Sequence, residues 1–142
     1  MNLSKAAKMT RVSAAVAAGI TDVNSTAVDM KGFGSVQFIV SMGAITAAAV
    51  TSAKLQGSSD NSSFSDLEGT AVTIADDDDD QVFGLDLSHP RHRYVRCVLD
   101  RGTQNAVLDG IIAVQYLADR EPVTQPATTT VEVNLNPAAG TA

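Results

Sequence analysis

The stretch Ser35-Val-Gln-Phe-Ile-Val-Ser-Met42 decides the fold of this chain. Apolar residues recur in it with a period of two, at Val36, Phe38, Val40 and Met42. Because successive side chains of a β-strand point to opposite faces, this period predicts a strand with one face in a core. The opposite face carries polar residues and a single apolar exception, Ile39.

The sequence on either side of this strand predicts a corner and a hairpin. Lys31-Gly-Phe-Gly34 precedes the strand and supplies two glycines for tight backbone. Further along, the six polar residues Ser58-Ser-Asp-Asn-Ser-Ser63 separate Leu55 from Phe64. A polar break of this kind between apolar segments predicts a turn between two paired strands.

Four further alternating or β-branched segments follow, at residues 72–74, 81–87, 94–100 and 106–117. Breaks rich in Gly, Asn, Asp and Ser separate them, and a shorter segment at residues 26–30 precedes the central stretch. About eight short strands without a convincing long helix indicate an all-β antiparallel β-sandwich or jelly roll. Asp109-Gly110 predicts a β-bulge, and the apolar run after it predicts a strand buried on both faces.

The inward positions of these strands predict one hydrophobic core. Its expected members are Val36, Phe38, Val40, Leu55, Phe83, Leu85, Val95, Cys97, Leu99, Ile112 and Val114. With four Phe, two Tyr and no Trp in the chain, aliphatic side chains must fill most of it.

The 142 residues are expected to form one domain with an extension at each end. Residues 1–19 suit a helix through their Ala content and an extended segment through Val12 and Val16, and they are interpreted as a mostly extended N-terminal arm. Residues 20–121 are the predicted β-sandwich domain. Residues 122–142 are predicted to be an extended C-terminal tail of Thr, Ala and Pro, in which only residues 131–135 alternate as a strand does.

The formal net charge of −6 is a local property, because five of the sixteen acidic residues are consecutive at Asp76–Asp80. Five adjacent carboxylates repel one another, so this run predicts an exposed loop. An acidic chain is a poor general ligand for nucleic acid, and no nucleic-acid partner is expected. Its clustered basic residues suit an acidic protein surface instead.

No run of residues approaches the roughly 20 apolar positions that span a bilayer, so no membrane partner is expected. Lys5, Lys8 and Arg11 ahead of residues 12–19 superficially resemble a secretory leader. The apolar part is short and dominated by Ala, which is atypical of a leader. We therefore expect this segment to remain in the protein.

Few side chains are candidates for catalysis or metal binding, and their spacing in the sequence matches no known catalytic or metal-binding pattern. His89, His92 and Cys97 fit no closed zinc pattern, and the single cysteine excludes an intramolecular disulfide. The Asp76–Asp80 run lacks the alternating acids and the glycine of an EF-hand loop. The serines within residues 58–63 have no histidine at a suggestive spacing. The expected protein is not an enzyme and has no metal, cofactor or small-molecule substrate.

The basic residues of the second half leave two interpretations open. Arg91, Arg93 and Arg96 lie close together in sequence beside Tyr94 and are compatible with a phosphate or polyanion site. A strand of this composition equally presents its charges to solvent or to a neighbouring subunit.

Two motifs carry a resemblance to a known family. Val28-Asp-Met-Lys-Gly-Phe-Gly-Ser-Val36 follows the pattern Val-Asp-x-x-Gly-aromatic-x-Ser-Val, and Leu55-Gln-Gly-Ser-Ser-Asp60 follows Leu-Gln-x-Ser-x-Asp. In these motifs the chain resembles small proteins of tailed bacteriophages that are encoded near the major capsid gene. The resemblance covers residues 20–118 and leaves both ends outside it.

The resemblance implies a non-enzymatic virion structural protein. Some members act as head cement or decoration proteins, so the expected role is to bind the outer surface of a phage head and stabilise the shell. The implied partners are the major capsid protein and neighbouring copies of the chain, and the implied location is the exterior of the phage head after synthesis in the cytoplasm of the bacterial host. Two alternatives remain open: a tail or neck component of the same fold, and a carbohydrate-binding β-sandwich module.

The residues expected to bind partners come from charge and from the alternation in the tail, and not from the resemblance. They are Lys5, Lys8, Arg11, Arg91, Arg93, Arg96, Val131, Val133 and Leu135. The basic residues are expected to anchor the chain electrostatically, and the apolar ones to accompany an extended tail that hydrogen-bonds to the edge of a partner's sheet.

Overall fold

The structure is a computed structural model that describes residues 2–141. Met1 and Ala142, the outermost residues of the predicted arm and tail, lie outside the described residues. One short helix and eleven strands follow in chain order: α1 (Leu3–Ala6), β1 (Lys8–Ser13), β2 (Val16–Gly19), β3 (Val23–Asn24), β4 (Val28–Asp29), β5 (Phe33–Ile45), β6 (Thr51–Ser58), β7 (Ser65–Asp66), β8 (Val72–Ile74), β9 (Val82–Ser88), β10 (Tyr94–Arg101) and β11 (Ala106–Ala118).

The strands form two antiparallel sheets that pack as a β-sandwich. The first sheet has the order β1-β11-β5-β9, with β2 also paired to β11. The second has the order β3-β10-β6-β7, with β4 paired to β10 and β8 to β6. When the short segments β2, β4 and β8 are joined to β1, β3 and β7, eight strands remain and follow the order of a jelly roll. The predicted all-β sandwich is confirmed.

The strand that decides the fold is central in the first sheet. β5 pairs with β11 on one side and β9 on the other, so that Phe38 lies between Ala113 and Leu85. Its inward side chains are fully buried, as the period of two predicted. The predicted hairpin is also present, because β6 pairs with β7 around the polar turn at residues 58–63.

The core matches the prediction except in β11. Phe83 is partly buried at the edge of the core, and Ile112, 45 % exposed, lies on the outer face. The register of β11 shifts between Leu108 and Gly110, which is the predicted bulge. Because a bulge inserts one residue, the inward positions change from even to odd numbers, and Ile111 is buried in place of Ile112. Placing Ile112 and Val114 in the core, and burying this strand on both faces, was therefore wrong.

The structure divides the N-terminal residues differently from the prediction. The segment is extended as expected, but β1 and β2 are paired strands of the first sheet and not an arm outside the sandwich. Arg101 holds this region, because its buried guanidinium donates to the carbonyls of Ala17, Thr21 and Ala106 at 2.7–2.8 Å. The sequence placed Arg101 in a polar turn, since a buried arginine that binds carbonyls leaves no periodic signal.

The C-terminal tail has two parts. Its first part lies on its own chain: the Gln125 side chain accepts a hydrogen bond from the Met9 amide and donates to the Ser4 and Ala7 carbonyls at 2.7–2.9 Å. The Thr129 hydroxyl then donates to the Met9 carbonyl at 2.8 Å. Residues 130–141 have no regular secondary structure, so the strand-like alternation of residues 131–135 forms no strand within this chain.

Candidate partner-binding surface

His89 and His92 line one groove, but Cys97, the third candidate metal residue, lies apart from them. Cys97 lies in the core, and burial raises the pKa of its thiol to about 12. A thiol that is protonated at neutral pH is neither a nucleophile nor a ready metal ligand. His92 instead packs against Gly57, where an added Cβ would meet the imidazole ring at 2.5 Å. No group of three metal-ligating side chains is found within residues 2–141.

The serine-rich turn is built around a carboxylate. Asp60 Oδ1 accepts hydrogen bonds from the Ser62 and Ser63 amides and from the Ser58 hydroxyl, at 2.8–2.9 Å. These bonds, that of Ser63 first, lower the pKa of Asp60 to about 2. The serines therefore stabilise the turn of a hairpin, and these contacts give no sign of a nucleophilic serine.

The acidic run Asp76–Asp80 is an exposed loop, as predicted, but its carboxylates are not merely solvated. Asp79 Oδ1 accepts from the Ile45 amide at 2.6 Å, and Asp78 Oδ2 accepts from the Ala75 amide at 2.9 Å. The bond to Ile45 ties the loop to the end of β5, and the bond to Ala75 closes the loop on itself. They also place five acidic residues at that end of the sandwich.

The arginines of β10 and the turn before it do not converge on one anion site. Arg93 forms a bidentate pair with Asp29 at 2.8 and 3.0 Å, and this pairing lowers the pKa of Asp29 and raises that of Arg93. The Arg96 guanidinium lies 4.1 Å from the centre of the Phe64 ring and donates to Gln56 at 2.9 Å. Both groups are thus used within the chain, while Arg91 is exposed.

A basic cluster that includes Arg91 and Arg93, but not Arg96, lies at the end of the sandwich opposite the acidic loop. Two open grooves, of about 580 and 570 Å³, meet at Lys31 and Phe33 at the start of β5. We call these two joined grooves the basic groove. Its basic lining residues are Lys8, Lys31, Arg91, Arg93 and Arg120. Lys31 and Arg120 were missed by sequence analysis, because residues distant in the chain meet here only through the topology.

The other predicted N-terminal contacts lie elsewhere. Lys5 is exposed on α1. Arg11 pairs in register with Ile112 on the outer face of the first sheet and lines a separate depression of about 260 Å³ with Ile39 and Asp109. The three N-terminal basic residues therefore do not form one patch, and Lys8 alone lines the basic groove.

The apolar tail residues that were predicted to contact a partner are exposed to different degrees. Val131 and Val133 are 41 % and 44 % exposed, and Leu135 is 96 % exposed. The side chains between them interact with each other, because Asn134 donates to Glu132 at 3.1 Å. A bond between residues two positions apart places both on one side, as in an extended backbone.

The fold and the surface together define a jelly-roll β-sandwich with a basic groove at one end and an exposed apolar segment near the C-terminus. Among solved structures, the chain is similar to the crystal structure of PBSX exported protein XepA, with a TM-score of 0.54 and 17 % identity. The match covers 95 % of this chain and 45 % of that one, so this chain spans less than half the length of XepA. At this identity the likeness shows a shared fold.

Comparison of the sequence with protein families adds no assignment. No protein-family model matches it, and no curated protein matches it. Within residues 2–141, no helix is long and apolar enough to cross a membrane.

Proposed function

We propose that this chain is a non-enzymatic structural protein of a phage or phage-like particle, which docks through its basic groove on an acidic surface of the major capsid protein. The observation that carries the proposal is the groove itself. It collects basic side chains from four separate parts of an otherwise acidic chain, and within the described residues Asp119 is the one acidic residue in its lining, while Arg93 is paired with Asp29. Charge complementarity of this kind steers association and fixes orientation.

Three further features support this role. The sequence resembles small proteins encoded near phage capsid genes, and the fold is shared with a protein described as a PBSX exported protein. The acidic loop at the opposite end would repel a polyanion that extends along the molecule, which favours a protein surface over nucleic acid. The location that follows is the exterior of a phage head, reached after synthesis in the host cytoplasm.

The aromatic residues disfavour carbohydrate binding. Tyr94 lies on β10 beneath the Arg93 guanidinium at 5.1 Å, whereas Tyr116 lies on β11 and donates to Asp86. The two tyrosines belong to different sheets and form no common stacking surface. Stacking on exposed aromatic faces is what a sugar site of this kind requires.

Co-sedimentation with heads prepared without this chain tests the proposal. Wild-type protein should bind the heads, and the double variant Lys31→Glu, Arg91→Glu should bind at least about tenfold more weakly, because two charges in the groove are reversed. Arg11→Glu is the matched control for the single variant Lys31→Glu, since one charge is reversed in each; Lys31→Glu should weaken binding, whereas Arg11→Glu lies outside the groove and should change binding less than about twofold. Absence of wild-type binding, or equal losses in the two single variants, would contradict the proposal. Binding to purified tails instead of heads would assign the chain to the tail or neck.

A further inference from the structure

One edge of the first sheet has unused backbone hydrogen-bonding groups. β9 pairs with β5 on one side, and no strand pairs with its other side within residues 2–141. The Met42 amide donates to the Gln81 carbonyl and the His89 amide to the Gly34 carbonyl, which fixes the phase of the ladder. Odd-numbered residues of β9 therefore bond to β5, and the amides and carbonyls of Val82, Gly84 and Asp86 point to the open edge.

The inner side of this edge is apolar and incompletely covered. Leu85 is buried, but Phe83 and Leu87 on either side of it are only partly buried against the core. A cleft of about 200 Å³ lies beside them between the two sheets, with Leu55, Val72 and Leu85 in its lining. An added strand would fit here if it alternated apolar and polar side chains.

The tail has that alternation. Val131, Val133 and Leu135 are exposed apolar residues at every second position, matching the spacing of Phe83, Leu85 and Leu87. Glu132 and Asn134 form the polar side and already bond to each other. Within residues 2–141 the segment has no strand partner, so its main chain is free to pair. Val133 lies beside Leu3 and Met9 of its own chain and still keeps 44 % of its surface exposed.

The tail cannot reach this edge of its own molecule. Thr129 is held at the free edge of β1, and the added strand would lie beyond β9, five strand spacings or about 24 Å away. The two residues from Thr129 to Val131 span at most about 7 Å. A segment that occupies β9 must therefore come from a second molecule.

We propose that residues 131–135 of one copy add a strand to the open edge of β9 in a second copy. In this contact, Val131, Val133 and Leu135 face the apolar inner side of the β9 edge. Registers that set Asn134 or Asn136 opposite Asp86 keep the Glu132 carboxylate away from the Asp86 carboxylate. The contact joins copies of this chain and is independent of capsid binding. Self-association and head binding are expected to be lost through different substitutions.

Two variants of the full chain carrying the same new residue at different positions of the tail test the contact. Val133→Asp puts a carboxylate against the apolar inner side of the β9 edge and should weaken self-association at least about tenfold, measured by light scattering across a dilution series. Ala138→Asp adds the same charge at an exposed position outside residues 131–135 and should change association less than about twofold. A wild-type chain that is monomeric throughout the series, or equal effects of the two variants, would overturn the proposal.

A complementation experiment identifies the acceptor. Val82→Pro removes an amide that points to the open edge, at the first residue of β9, where proline is tolerated. This variant should associate poorly alone, as should Val133→Asp, because one has a blocked acceptor and the other a blocked donor. Their mixture should form a heterocomplex, since an intact tail and an intact edge are then both present. Failure of the mixture to associate would place the tail contact on another surface.

Discussion

The two edges of the first sheet differ in how their backbone hydrogen-bonding groups are satisfied. At the β1 edge, the Gln125 and Thr129 side chains bind both the amide and the carbonyl of Met9, so part of the tail covers this edge. At the β9 edge, Val82, Gly84 and Asp86 present their amides and carbonyls without a strand beside them in the described part of the chain. The tail therefore satisfies one edge of its own sheet, and its residues 131–135 lie beyond that contact, where we propose that they pair with another molecule.

At the covered edge, the hydrogen bonds from the tail come from side chains. At the open edge, the groups that remain for hydrogen bonding belong to the main chain. Side-chain bonds from a coil segment are specific to one partner position, whereas an uncovered ladder accepts any strand of suitable alternation. Asp86 is a charged residue on the open edge, of the type that restricts which strands pair there. Stability measurements distinguish the contributions of the two edges.

β5 lies between β11 and β9, so both edges of the sheet depend on it. The largest loss in the free energy of unfolding is therefore expected from a change at its central residue. Phe38→Ala should lower the free energy of unfolding by about 3–5 kcal/mol, because a fully buried ring is replaced by a cavity. Ile39→Ala on the outer face of the same strand is the matched control and should cost clearly less. Denaturant unfolding measures both. A loss below about 1 kcal/mol for Phe38→Ala would refute the assigned strand face.

The covered edge also depends on Arg101. Arg101→Ala should lower the free energy of unfolding by about 3 kcal/mol, because three carbonyls lose a buried donor. Arg91→Ala removes an exposed arginine and should stay within about 0.5 kcal/mol of wild type. Thermal and denaturant unfolding would show the difference. Equal stability of the two variants would mean that the β2 region is held by other contacts.

The tail itself is expected to contribute less to the free energy of unfolding than Arg101 does. Gln125→Ala removes three hydrogen bonds and should cost about 2 kcal/mol. Thr128→Ala, three residues along at an exposed position, should have little effect. Amide exchange at Met9 should rise in the first variant alone. Unchanged exchange there would show that the tail does not protect this edge.

The smallest effect is expected at the Asp60 turn, which belongs to neither edge. The pKa of Asp60 is lowered in the folded chain, so its carboxylate stabilises the fold above the usual aspartate pKa of 3.8, and this contribution is lost as the pH falls through about 2. Asp60→Asn should therefore be less stable than wild type near neutral pH, and the two should converge in acid. A stability difference independent of pH would contradict this assignment.

Periodicity predicted the parts of the fold in which one face of a strand meets the core. β5, β9 and β10 were placed correctly because their alternation is nearly uninterrupted. In β11 the bulge was predicted, but its consequence for Ile112 was not, since a single inserted residue reverses every later side chain. The pairing of β1 was missed because Val12 is its one buried side chain, which leaves no alternation in the sequence.

The candidate surfaces were less predictable than the fold. The charges of Arg93 and Arg96 are visible in the sequence, but their partners Asp29 and Gln56 lie far away along the chain. The basic groove likewise depends on topology, which brings Lys31 to Arg120. The alternation of apolar and polar residues in the tail was visible in the sequence. The sheet edge that suits this alternation could be identified only from the strand order.

Residue-resolved amide exchange of the full chain, compared with its Val133→Asp variant, tests the contrast between the two edges most directly. In the wild-type oligomer, the amides of Val82, Gly84 and Asp86 should be protected, and in the variant they should exchange rapidly. The amides of Phe83, Leu85 and Leu87 should remain slow in both, because they bond to β5. Identical exchange of the three edge amides in the two proteins would contradict the account.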